Sequence, residues 1–351
     1  MLRKFIMLIS MMLITVMMTI TSLAAQDINI AIGDYIQLGT YYNKPILWRC
    51  VDIDENGPLM LSDKILCIKA FDASGANIDG SHKGGSYRET DGSNYWADSN
   101  IRSWLNSNEG KGKVKWLCGN PPDIAHVANG KNAYDQEAGF LTNFSEKELK
   151  TIKTVIQKSI VAYPEYNNKM YDYGTEAYKW ESDIREAVSN YDKAYSENVK
   201  DSIFLLDVKQ VSEVYRNSNI LGADYYIGEP TMECVKWSAS DQFLEANEKH
   251  HYWLRTPNTG IDANYYCSLP VLVSTGDISF IGYADSSDIG VRPAFYLNES
   301  SNIFYDGNGT IKKPYRVKTI NLLFLLTLTI VITIILIMVI CFLKTRKNSK
   351  N

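Results

Sequence analysis

Leu322 to Leu343 is a run of 22 residues that holds only apolar side chains and Thr, apart from Cys341. No other feature limits the architecture as severely, because a helix with no polar face cannot rest on the surface of a globular domain. At 1.5 Å per residue the run is roughly 33 Å long, enough to cross a bilayer core of about 30 Å. A single transmembrane helix is therefore expected over 320–343. The basic tail Lys344-Thr-Arg-Lys-Asn-Ser-Lys-Asn351, residues 344–351, should stay in the cytoplasm by the positive-inside rule. At the other end, Arg3-Lys4 precedes the apolar stretch Phe5 to Ile20, and Ser22 and Ala24 are spaced for processing. This pattern predicts a signal peptide over 1–24, cut after Ala24 or Ala25. Gln26 and Asp27 follow, not Cys, so no lipid attachment is expected. The remainder, 25–319, is then an extracellular domain held on the cell membrane by one C-terminal helix.

Charge narrows the partners of that domain. The chain has 36 Lys and Arg against 40 Asp and Glu, and six of the bases (Arg3, Lys4, Lys344, Arg346, Lys347 and Lys350) lie in the two ends. Thirty bases against 40 acids leave the middle at about −10, which disfavours nucleic acid and anionic lipid surfaces.

Period-two runs bounded by turn residues predict hairpins at Ile46–Ile53 with Leu59–Leu66, and at Pro270–Ser274 with Ile278–Tyr283. Ile101, Trp104 and Leu105 predict a helix over Ser99–Ser107, capped by Asp98 or Ser99. Ser145-Glu146-Lys147-Glu148 is a capping box, and Leu149, Ile152, Val155 and Ile156 suggest that a helix continues to Val161. Asp72 to Asp98 reads as a long loop, and the Tyr-rich stretch Tyr163 to Tyr195 as an insertion of loops and one helix. Hairpins with separate helices make the class α+β.

Chemical motifs are sparse. Asp52-Ile-Asp54-Glu-Asn56-Gly57 imitates a calcium loop, but its strand-like flanks make it a hairpin turn. The histidines, His82, His126, His250 and His251, have no zinc-enzyme spacing, and His250-His251 reads as a solvated turn. A Gly-x-Ser-x-Gly elbow and a phosphate loop are both absent, so no metal, cofactor or catalytic residue is assigned. Carboxylates are plentiful without one pair standing out.

Cys50, Cys67, Cys118, Cys234 and Cys267 precede the membrane run, an odd number that permits at most two disulfides, and buried thiols are an equal alternative. A turn centred between Glu55 and Asn56 would set Cys50 opposite Leu61, and one centred a residue later would set it opposite Asp63. Neither register supports a direct bridge from Cys50 to Cys67. Arg255 in Tyr252-Trp253-Leu254-Arg255-Thr256-Pro257 and Arg292 in Gly290-Val291-Arg292-Pro293-Ala294 each lie inside an apolar run. Burying such a charge alone costs several kcal/mol, so each Arg is expected to clamp carbonyls or carboxylates. Pro293 places its strand at an edge or at a strand start.

Gly33-Asp34-Tyr35-Ile36-Gln37-Leu38-Gly39, Pro45 to Arg49 with Trp48, Leu59 to Ile65, Asn100 to Asn106 with Trp104, Phe204 to Leu206, Trp253-Leu254-Arg255 and Gly290 to Ala294 occur in order. This series resembles the bacterial domain-of-unknown-function family 6273 over 33–297. Its Trp-Leu-Arg and Gly-Val-Arg-Pro ending also resembles the close of the C-type-lectin-like fold shared with formylglycine-generating enzymes, which implies that architecture. Neither the cysteine pair nor the histidine-based iron site of catalytic members of that fold aligns here, and the family supplies no activity. With 12% aromatic residues, 23 of them Tyr, the chain is expected to be a non-catalytic module that binds a glycan or a protein. A hydrolase or modifying enzyme using carboxylates, and an accessory subunit meeting partners through its membrane helix, are the two alternatives.

Overall fold

The computed structural model describes residues 29–75, 88–117, 119–160, 178–179, 188–189, 196–239, 244–257, 268–272, 278–298 and 304–317, with short pieces at 331–332, 334–335 and 338–339. The signal peptide expected over 1–24, the tail over 344–351, Cys118, Cys267 and nearly all of Tyr163–Tyr195 lie outside the described residues, as do all but six residues of 320–343. No helix among the described residues is long and apolar enough to cross a membrane.

The chain divides into two compact units, 29–301 with 307–315, and 1–28 with 302–306 and 316–351. In the second unit, β15 (Phe304–Asp306) and β16 (Tyr315–Val317) pair antiparallel, Phe304 opposite Val317. The first unit is mixed α+β. Its larger sheet runs β1 (Tyr35–Tyr41), β2 (Lys44–Asp54), β3 (Gly57–Ser62), β14 (Ala294–Leu297), β5 (Ile152–Lys153), every neighbour antiparallel. Its second sheet has the order β12 (Ile278–Tyr283), β11 (Ser268–Leu272), β10 (Tyr252–Trp253), β13 (Gly290–Val291), β4 (Cys67–Ile68). Only β10 and β13 run parallel there. Two further antiparallel pairs join β6 (Val155–Ile160) to β9 (Ser196–Asp201) and β7 (Tyr178–Lys179) to β8 (Val188–Ser189).

Alternation builds the first hairpins. Ile46, Trp48 and Cys50 are buried on one face of β2, whereas β3 and β14 are buried nearly throughout, on both faces. β1 turns into β2 through Tyr42 and Asn43, both left-handed at φ 49° and 60°, the conformation of a two-residue hairpin turn whose twist matches the flanking strands. At the next tip Asp54 pairs with Gly57, and Asp54 Oδ1 accepts the Asn56 N–H at 2.7 Å, so the calcium-like motif is a hairpin turn. A bulge between Cys50 and Asp52 shifts the register, and Cys50 faces Met60 rather than Leu61 or Asp63.

Among the described residues six helices accompany the sheets: α1 (Arg88–Asp91), α2 (Asn100–Leu105), α3 (Glu146–Leu149), α4 (Val208–Arg216), α5 (Ser218–Leu221) and α6 (Met232–Trp237). Ser99 caps α2 through the Arg102 N–H. The Ser145 and Glu148 capping box is formed, yet α3 ends at Leu149 and the chain continues as β5 and β6, so the helix expected through Val161 is corrected to two strands. Thr151, Ile152, Thr154, Val155 and Ile156 are β-branched, and β14 and β9 offer them free edges, which outweighs the helical spacing. Asp72–Asp98 is not a bare loop: α1 and a 3₁₀ turn at Trp96–Asp98 lie within it.

Trp48, Trp96, Trp104 and Trp253 are all buried. Their indole N–H groups donate to Leu38 O, Asp201 Oδ2, Ala138 O and Lys69 O at 2.8 to 3.0 Å, so burial of these rings leaves no polar edge unpaired.

Candidate functional site

The Arg residues singled out in the sequence sit at structural junctions. The chain passes from the larger sheet to the second between β3 and β4, and returns between β13 and β14. Arg292 occupies the second crossing and is 1% exposed. Its Nε donates to Ser62 O at 3.0 Å and Nη2 to Asp63 O at 3.0 Å, on the first crossing, while Nη1 donates to Tyr225 O at 2.9 Å. Pro293 O accepts from Ser62 N at 2.9 Å, and Pro293 immediately precedes β14, an inner strand. Arg49 donates to Leu221 O at 2.7 Å, and the Tyr225 ring lies between the two guanidinium groups, 4.6 Å from Arg49 and 4.7 Å from Arg292. Arg255 is held by Asp207 Oδ2 at 3.0 Å, Leu205 O at 2.8 Å and the side-chain oxygens of Gln210 and Gln157.

Two ion pairs built on fully buried cations were invisible in the sequence. Asp72 pairs with Arg88 at 2.9 Å, and Lys69 with Glu137 at 2.6 Å beneath the rings of Trp104 and Tyr134. Cys50, Cys67 and Cys234 are buried thiols, and burial pushes Cys67 up to about 12, far from a reactive thiolate. Among the described residues no group of three metal-ligating side chains is present.

His250 and His251 are half-buried and their rings stack at 4.2 Å, which corrects the solvated turn. The backbone of the pair joins Gly228 to Gly290. Burial, then the neighbouring His250, pushes His251 down to about 4. A base depressed in the fold takes up its proton first in the unfolded chain. Stability is thus intact above about pH 6.5 and is lost as pH falls toward 4, by up to about 3 kcal/mol. Thermal melts at pH 7 and pH 4.5 should show this loss, and His251→Asn should flatten the dependence; an unchanged slope in that variant would assign it to other groups.

The surface feature suited to a ligand lies where the β1–β2 turn meets α6. A pocket of about 240 Å³ is lined by Tyr41, Tyr42, Ile46, Leu66, Thr231 and Glu233, among others. The tight turn projects Tyr42, and Thr231 caps α6 by accepting the Cys234 N–H at 2.9 Å. These two local structures bring Tyr42 and Trp237 together, their rings stacked at 5.9 Å and 23°. Trp237 remains 60% exposed, unlike the four core tryptophans, and Met232 on the same short helix is 66% exposed. Lys44 and Glu233 approach to 3.8 Å, and Asp63 and Lys64 complete the polar rim. Burial raises the Tyr42 phenol to about 12, so at neutral pH it is an uncharged donor. Neither Tyr42 nor Trp237 stood out in the sequence. An aromatic at a turn tip and one at a helix end could only have been paired by knowing that the two segments meet.

The chain matches no curated protein and no solved structure. The family model described as Domain of unknown function (DUF6273) matches residues 56–299, which takes in the second hairpin, both Arg junctions and α6. Together with the ordered motifs around Trp48, Trp104, Trp253 and Arg292, that match shows that the chain belongs to the DUF6273 family.

Proposed function

We propose that this chain is a non-catalytic cell-surface module that binds a glycan at the pocket beside Tyr42 and Trp237. The observation that carries the reading is the exposed Trp237 indole stacked on Tyr42. A sugar ring has an apolar C–H face and a rim of hydroxyls, and it is matched by an aromatic plane beside charged hydrogen-bonding groups. Lys44, Glu233 and Asp63 supply such groups at the rim. The lectin-like architecture suggested by the closing Trp-Leu-Arg and Gly-Val-Arg-Pro motifs agrees with a binding role. Placement outside the cell is supported by the basic flank and processing site before Gln26 and by the apolar run 322–343 ahead of the basic tail.

Intact cells displaying the full chain should capture fluorescent oligosaccharides from an array panel without releasing product. External protease should abolish capture. Trp237→Ala should weaken it by about tenfold or more at an unchanged melting temperature, since an exposed aromatic contributes to binding and little to the core. Product formation would favour the hydrolase reading, and capture unaffected by Trp237→Ala would move the glycan elsewhere.

A further inference from the structure

A second concavity, of about 560 Å³, lies between the β2–β3 tip, β6 and the start of α4. Its floor is tied together before any ligand arrives. Tyr296 Oη donates to Asp54 at 2.5 Å and accepts from Gln210 Nε2, while Gln210 Oε1 and Gln157 Oε1 both accept from Arg255. Because Arg255 occupies the Gln157 oxygen, the amide orientation is fixed and its NH₂ is left as the donor. Gln157 lines the cleft, is only 8% exposed, and its Nε2 has no acceptor. An unmet buried donor costs about 1 to 3 kcal/mol, so such a group on the wall of a cleft points to an acceptor that arrives from outside.

The walls restrict what that acceptor belongs to. Five carboxylates and three basic groups line the cleft, a balance that repels phosphate or carboxylate ligands. Three of the acids are already engaged, Asp54 by Tyr296, Asp207 by Arg255 and Glu213 by Arg216, and Lys209 sits among the rest, so a bare cation is poorly served. A hydroxyl accepts from a donor such as Gln157 or Lys209 and donates to a carboxylate such as Asp52 or Glu55 at the same time. We infer that this cleft is a second binding site, built for a neutral, hydroxyl-rich carbohydrate chain. It stands independently of the platform at Trp237, and the two together would let one module grip a glycan at separate points.

The test uses the full chain carrying Trp237→Ala, in micelles of a detergent without a sugar headgroup, titrated with maltotetraose, cellotetraose and chitotetraose. Hydrogen exchange should slow over residues 52–56 and 156–158 with at least one probe. Adding Asp52→Asn and Lys209→Ala, both outside the Arg255 network, should weaken that binding by about tenfold while the melting temperature holds. Absence of protection at these segments with every probe, or an affinity unchanged by the two substitutions, overturns the inference. Loss of protection only around Tyr42 and Trp237 in the parent chain would instead overturn the platform reading and leave this one standing.

Discussion

Arg292→Ala should cost about 3 to 5 kcal/mol, a large part of a domain's net stability, and lower the melting temperature by about 10 °C. The guanidinium's acceptors are main-chain carbonyls, Ser62 O and Asp63 O at one sheet crossing and Tyr225 O beyond it. Alanine removes the donors that serve these oxygens and leaves a cavity in their place. The Tyr225 ring also loses one of its two flanking cations. Arg292→Lys should recover only part of the loss, because one ammonium cannot span carbonyls in three directions as a planar fork does. Wild-type melting with loss of glycan capture alone would show that Arg292 serves a ligand and would refute the clamp.

The second large effect belongs to Asp72. This fully buried carboxylate accepts from Arg88 at 2.9 Å, from Ser93 N at 2.9 Å and from Asn100 N at 3.0 Å, the last at the first turn of α2. It therefore ties α1, the segment at Ser93 and α2 to the stretch that follows β4. Asp72→Ala would take the carboxylate away from a buried guanidinium and from two N–H groups, at about 3 to 5 kcal/mol. Removing the cation as well, in Asp72→Ala with Arg88→Met, should return part of that stability, since a buried guanidinium without its carboxylate no longer has to be desolvated. Chemical denaturation of the two variants checks this, and a double variant no more stable than the single one would place the cost in the lost N–H acceptors instead.

Much of the local structure is legible in the sequence because it depends on neighbours within a few positions. The Asp54 to Gly57 turn, the Ser99 cap of α2 and the Ser145 capping box are set by short side chains reaching adjacent N–H groups, and each is present. The same holds for the alternation of Ile46, Trp48 and Cys50 on β2. The apolar run 322–343 and the acidic middle are likewise properties of the sequence as written.

What required the tertiary structure is every choice made between segments distant in the chain. Leu149 to Val161 carries helical spacing and β-branched residues together, and only the open edges of β14 and β9 decide for strands. An Arg in an apolar run must find partners, yet that Arg292 reaches across to Ser62 and Asp63, 230 and 229 positions away, follows from the two sheet crossings lying together. The pairing of Asp72 with Arg88 arises in a stretch that reads as loop. Tyr42, Trp237 and Gln157 are ordinary residues until packing places them, Gln157 against the Arg255 that the sequence does single out. A single sequence encodes propensity and charge at each position, whereas burial, which turns an ordinary amide into an unmet donor and an ordinary indole into an exposed platform, is a property of the whole fold.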